Sequence, residues 1–168
     1  MEVNFTTLKN GLRVVTAERP QTETVSLGIW VNTGSACETQ DRNGISHFVE
    51  HMVFKGTKKR NSLQISEDIE NVGGQTNAYT SREFTAFYAK MLKNDLELAT
   101  DVLSDLVMAP TFDAAEMVKE KEVVVQEIKQ TNDDPSDIVY DYFQETAFAN
   151  QALGRSILGP AEKVRSFN

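Results

Sequence analysis

The chain has 168 residues, 40% of them hydrophobic, which suits one domain able to bury a core. Its formal net charge of −8, from 17 basic and 25 acidic residues, excludes general binding to a phosphate backbone, so nucleic acid is not an expected partner. Cys37 is the only cysteine, which rules out an internal disulfide, and no apolar run approaches the length of a membrane span.

Residues Met1 to Thr7 lack a basic stretch followed by an apolar one, so the chain reads as cytosolic or already processed. Asn4 to Thr7 and Leu12 to Ala17 flank Lys9-Asn10-Gly11, and an Asn-Gly pair between extended segments predicts a hairpin. Thr24 to Asn32 is rich in β-branched and aromatic residues and reads as a third strand. A helix is expected over Gly44 to Phe54, ended by Gly56, and a second from a cap at Ser62 to about Val72. Gly73-Gly74 breaks the pattern, and Gln75 to Thr80 and Glu83 to Met91 read as strands around a turn at Ser81-Arg82.

Helices dominate the remainder. Leu96, Ala99, Val102, Leu103, Leu106 and Val107 recur at helical spacing until Pro110 stops the run. Two further helices are expected, over about Asp113 to Thr131 and about Pro135 to Ala149. The final stretch, with Gly154, Gly159 and Pro160, shows neither a strand nor a capped helix. This order predicts an α+β fold, a mostly antiparallel sheet with helices packed on one face.

The most informative residues lie in the first helix. His47-Phe48-Val49-Glu50-His51 is an H-x-x-E-H motif that contains the only two histidines of the chain. Residues four apart share a helix face, so both imidazoles can converge on one metal ion with Glu50 beside them. A catalytic zinc site usually takes three protein ligands, and the helix spanning Glu116 to Gln130 offers Glu116, Glu120, Glu122 and Glu127. Val123, Val124 and Ile128 are expected to mark its buried side. Glu120 and Glu127 lie two turns apart on a shared face, and composition does not choose between them.

The stretch Gly44 to Thr57, built around His47, Glu50 and His51, resembles the signature of the M16 zinc peptidases, the family of mitochondrial processing peptidase, pitrilysin and insulin-degrading enzyme. Gly73 to Glu83 is similar to the family's G-x-x-N-A-x-T segment, and Glu120 to Glu127 resembles its distal glutamate helix. Leu153 to Pro160 resembles a segment of the processing-peptidase branch, so the likeness spans essentially residues 1–168, read as an N-terminal M16-type domain that is truncated. The resemblance implies a LuxS/MPP-like metallohydrolase fold, here incomplete.

It also implies that His47, His51 and Glu127 bind Zn2+, that Glu50 is the general base, and that Glu120 is an auxiliary acidic residue of catalysis. Glu120 could instead orient a ligand or the substrate. Asn77, Ala78 and Tyr79 would form an edge strand that pairs with an extended peptide substrate. The implied function is a zinc-dependent endopeptidase that cleaves peptides or presequences with a metal-activated water. The family's second half is absent, so a second M16-type half or subunit is an expected partner, and weak or no activity is expected of the chain alone. A bacterial cytoplasm or a mitochondrial matrix would both suit it. Two other readings are a noncatalytic peptide-binding or assembly subunit of the same fold, and a domain that uses zinc only for stability.

Overall fold

Residues 2–168 are described by the computed structural model. The expected hairpin is present: β1 (Val3–Thr7) pairs antiparallel with β2 (Arg13–Ala17). Gly11 takes a positive φ of 87° in the connection, and the Leu12 amide donates to Asn10 Oδ1 at 3.1 Å. The hairpin forms a two-stranded sheet of its own, and every residue of both strands is exposed. No apolar face is buried there to draw it into the larger sheet.

That larger sheet contains β3 (Thr24–Val31), β4 (Gln75–Thr80) and β5 (Thr85–Leu92), all antiparallel in the order β3-β5-β4. Along β5, buried Phe87, Ala89 and Met91 alternate with exposed Tyr88, Lys90 and Leu92, the period of a half-buried strand. The inner face packs on α2 (Ser62–Glu70) and α3 (Leu96–Met108), where Ile65, Ile69, Val102, Leu103 and Leu106 are buried. Trp30 and Tyr88, which point away from this core, remain exposed. The mixed α+β architecture with antiparallel pairing and helices on one sheet face is therefore present.

A second core joins α1 (Ile45–Val53) to α4 (Ala114–Asp133), with Phe48 and Met52 against Val124, Val125 and Ile128. α5 (Pro135–Ala147) follows α4, and α6 (Ala161–Ser166) adds Val164 to the same cluster.

Several local expectations shift. Asn61, not Ser62, caps α2: it accepts from the Gln64 amide while the Gln64 side chain accepts from the Asn61 amide, and the helix ends at Glu70 rather than Val72. β5 begins at Thr85 because Ser81 Oγ holds the amides of Glu83 and Phe84 in the turn. Val123 is exposed and Val125 is buried, since the helix turns Val124 and Ile128 to the core and carries Val123 beyond its edge. α6 was not predicted. It has no side-chain cap and only six residues, so its helicity rests on burying Val164.

Two features fix the N-terminus of α1. Gly44 has a positive φ of 96°, and a Cβ there would lie 2.5 Å from the Leu158 carbonyl oxygen; across from it, a Cβ on Gly159 would meet the Asn43 carbonyl oxygen at 2.3 Å. The Leu153–Pro160 segment can therefore lie directly against the helix start. Buried Glu38 then accepts from the amides of Gly44 (2.8 Å) and Ser46 (2.7 Å), meeting donors that no helical carbonyl can reach.

Candidate metal centre

α1 carries His47, Glu50 and His51, and its core residues Phe48 and Met52 lock the helix against α4. That packing brings Glu127 to the two histidines. His47 Nε2 and His51 Nε2 are 3.2 Å apart, and Glu127 places Oε1 3.6 Å from the first and Oε2 3.3 Å from the second. One donor atom from each of His47, His51 and Glu127 lies within 4.8 Å of the others. Two donors bound to a tetrahedral zinc ion at its usual bond length sit about 3.3 Å apart, so the spacing of the two nitrogens suits one such ion. The donor chemistry fits as well. Two imidazoles that aim Nε2 at one point, with a carboxylate as the third neighbour, need a shared cation or proton there.

The same contacts shift how these groups titrate. Hydrogen bonding from His47, and then from His51, holds the Glu127 carboxyl well below the ordinary carboxylate range, against the opposing effect of partial burial. For His51, burial would lower the imidazole, but Glu127 and Glu120 outweigh it and leave it above its ordinary value.

Glu120 does not join the cluster of ligand atoms. It stands behind it: buried Glu120 places Oε1 2.9 Å from His51 Nδ1 and Oε2 2.6 Å from Lys55 Nζ. An Nδ1–H donated to Glu120 leaves the Nε2 lone pair free for a cation. His47 Nδ1 is also buried, but finds no partner among the described residues.

Glu50 turns toward the sheet, where Thr80 Oγ1 donates to Glu50 Oε2 at 2.6 Å. Asn77, Ala78 and Tyr79 lie on β4, whose only sheet neighbour among the described residues is β5, so it is an edge strand. The Ala78 amide is met by Asn77 Oδ1 at 2.8 Å, and Tyr79 packs edge-on against Phe84 and Tyr88. A groove of about 760 Å3 between α4, α5 and the C-terminal segment, lined by Asn43, Ile128, Asp141 and Phe148, contains none of these residues.

The sequence reading missed three contributors: Lys55, Thr80 and Glu38. Lys55 follows His51 by four positions, a spacing that could have drawn attention to it. Thr80 ends the G-x-x-N-A-x-T segment already singled out, but its partner Glu50 lies 30 positions away, and Glu38 precedes Gly44 by six residues without a helical or strand period to mark it.

Comparison with known proteins places these observations. Residues 13–161 match the family model described as Insulinase (Peptidase family M16). An uncharacterized zinc protease of Bacillus subtilis, YmxG, is 46% identical over 162 residues, covering 96% of this chain and 40% of that protein. The mouse mitochondrial-processing peptidase subunit beta is 44% identical over 167 residues, or 99% of this chain and 34% of that protein. Among solved structures, a protease from Helicobacter pylori superposes with a TM-score of 0.93 at 25% identity, covering 99% of this chain and 41% of that one. An inactive M16 domain from Pseudomonas fluorescens shares the fold, with a TM-score of 0.90 at 15% identity, over 100% of this chain and 41% of that one. The chain thus spans well under half the length of the relatives it matches.

Proposed function

Because this chain belongs to the insulinase family of peptidases, family M16, we propose that it is the N-terminal, zinc-holding part of an endopeptidase. In this reading His47, His51 and Glu127 hold the ion, and their convergence is the observation that carries it. When bound, zinc supplies Lewis acidity that polarises a scissile carbonyl and makes water nucleophilic near neutral pH.

The protein's own residues do the rest. Glu120, held by Lys55, keeps His51 in the tautomer that leaves Nε2 free. The free edge of β4 around Asn77, Ala78 and Tyr79 takes up an extended peptide by backbone pairing, once the Asn77 side chain releases the Ala78 amide. Glu50 accepts a proton from water as its oxygen attacks the carbonyl carbon, then passes that proton to the departing amine as the C–N bond breaks. The products are two shorter peptides.

The rest of a longer polypeptide, or a second M16-type subunit, would close over the bound peptide. No helix among the described residues is long and apolar enough to cross a membrane, and the relatives include both bacterial and mitochondrial proteins. The hydrogen bond from Thr80 to Glu50 favours catalysis over a purely peptide-binding subunit, which has no need of a fixed carboxylate.

Zinc content per chain, measured by elemental analysis after gel filtration, tests the reading. The wild type is expected to carry close to one zinc and Glu127→Gln much less. Near-zero content in both would overturn a site completed within this chain.

A further inference from the structure

Thr80 is the last residue of β4, the edge strand, and pairs in register with Thr85 of β5. Its side chain points off the sheet toward α1, where Oγ1 donates to Glu50 Oε2 at 2.6 Å. No other hydrogen bond to the Glu50 carboxylate is present among the described residues, and both side chains are partly buried. A glutamate has three rotatable side-chain bonds, so a carboxylate without this contact would sample several positions. With it, Oε2 is committed to the threonine and Oε1 is left to take a proton.

We propose that Thr80 is a positioning residue for Glu50, and that it ties the general base to the strand on which the peptide docks. The inference rests on the peptidase reading for its catalytic consequence, but not for the contact itself. Because β4 carries both the docking edge and the threonine hydroxyl, the strand that sets the height of the peptide backbone also sets the height of the base. A carboxylate displaced by an ångström loses much of its advantage, by about 10- to 100-fold in rate. Asn77 and Tyr79 occupy alternate positions on the same strand, but neither has a side-chain hydrogen bond to Glu50.

Two readouts test this. In the metal-free chain labelled with 13C at glutamate, the side-chain carboxyl resonance of Glu50, assigned with Glu50→Gln, is compared at one pH among wild type, Thr80→Val, Thr80→Ala and Thr80→Ser. The resonance is expected to move or broaden in Thr80→Val and Thr80→Ala, and to return toward its wild-type position in Thr80→Ser. In the zinc-loaded chain, cleavage of a quenched fluorogenic peptide is expected to show kcat lowered about 10- to 100-fold in Thr80→Val. KM should stay within about twofold and zinc content should be unchanged, with Thr80→Ser restoring most of kcat.

An unmoved Glu50 resonance in both hydroxyl-free variants overturns the proposal. So does a displaced resonance with kcat equal to wild type. Loss of rate with an equal loss of zinc would assign Thr80 a structural role and also overturn it. If the wild-type chain alone cleaves nothing, the outcome already expected of one part of an endopeptidase on its own, the resonance decides whether Thr80 holds Glu50.

Discussion

His51 Nδ1 lies 2.9 Å from Oε1 of Glu120, so the imidazole that turns Nε2 toward Glu127 is braced from behind by a buried carboxylate. The bond fixes both ring orientation and tautomer, which matter more to a metal than the mere presence of a histidine. It also separates Glu127 and Glu120 of α4: the first faces the donor cluster directly and the second acts through His51.

Removing this brace should loosen zinc without dismantling the ligand set. Glu120→Ala is expected to weaken zinc binding by about 10- to 100-fold. Competition with a chromophoric chelator measures it, and unchanged affinity would show that His51 needs no support from Glu120.

Glu38 should matter for stability although it lies outside the motif. Its carboxylate holds the amides of Gly44 and Ser46, and its neighbour Asn43 donates to it at 3.0 Å. Glu38→Ala leaves these donors unmet at the start of α1 and is expected to cost about 2–3 kcal/mol in urea unfolding. A change below about 0.5 kcal/mol would mean that water replaces the carboxylate freely.

Acid should erode a separate ion-pair network around Arg60. Hydrogen bonds from Lys59, and then from Arg60, hold Asp101 below its ordinary value of 3.8. A lowered folded-state value means that the carboxylate's contribution is fully present above the unfolded value and is lost as pH falls through the folded one. Wild type should therefore exceed Asp101→Asn in stability at pH 6, with the gap closing as pH drops below about 3.8. A gap independent of pH, followed by thermal unfolding across that range, would remove the ionic explanation. The side chain of Asp101 is 47% exposed, so added salt should also narrow the gap.

The sequence by itself determined the elements whose signals are local. Alternation along β5 and apolar spacing along α3 are readable because each depends on neighbours a few positions away. The pairing of His47 and His51 is local too, since one helical turn brings them together whatever the rest of the chain does. Elements with weak local signals were not readable: α6 depends on burying Val164 beneath α4, and the correct buried side of α4, with Val125 in and Val123 out, depends on where α1 packs.

The family resemblance named Glu127 and Glu120, but only the tertiary structure decided where each stands relative to those histidines. The two cores set α1 against α4 and beside β4, and from that packing follow Glu127 at the donor cluster, Glu120 behind His51, and Thr80 on Glu50. Each of these contacts joins residues at least 30 positions apart, and a hydrogen bond of that separation leaves no trace in local periodicity. The hairpin shows the converse: its strands were legible from Asn10-Gly11, but whether they joined the main sheet depended on an apolar face that they do not bury here.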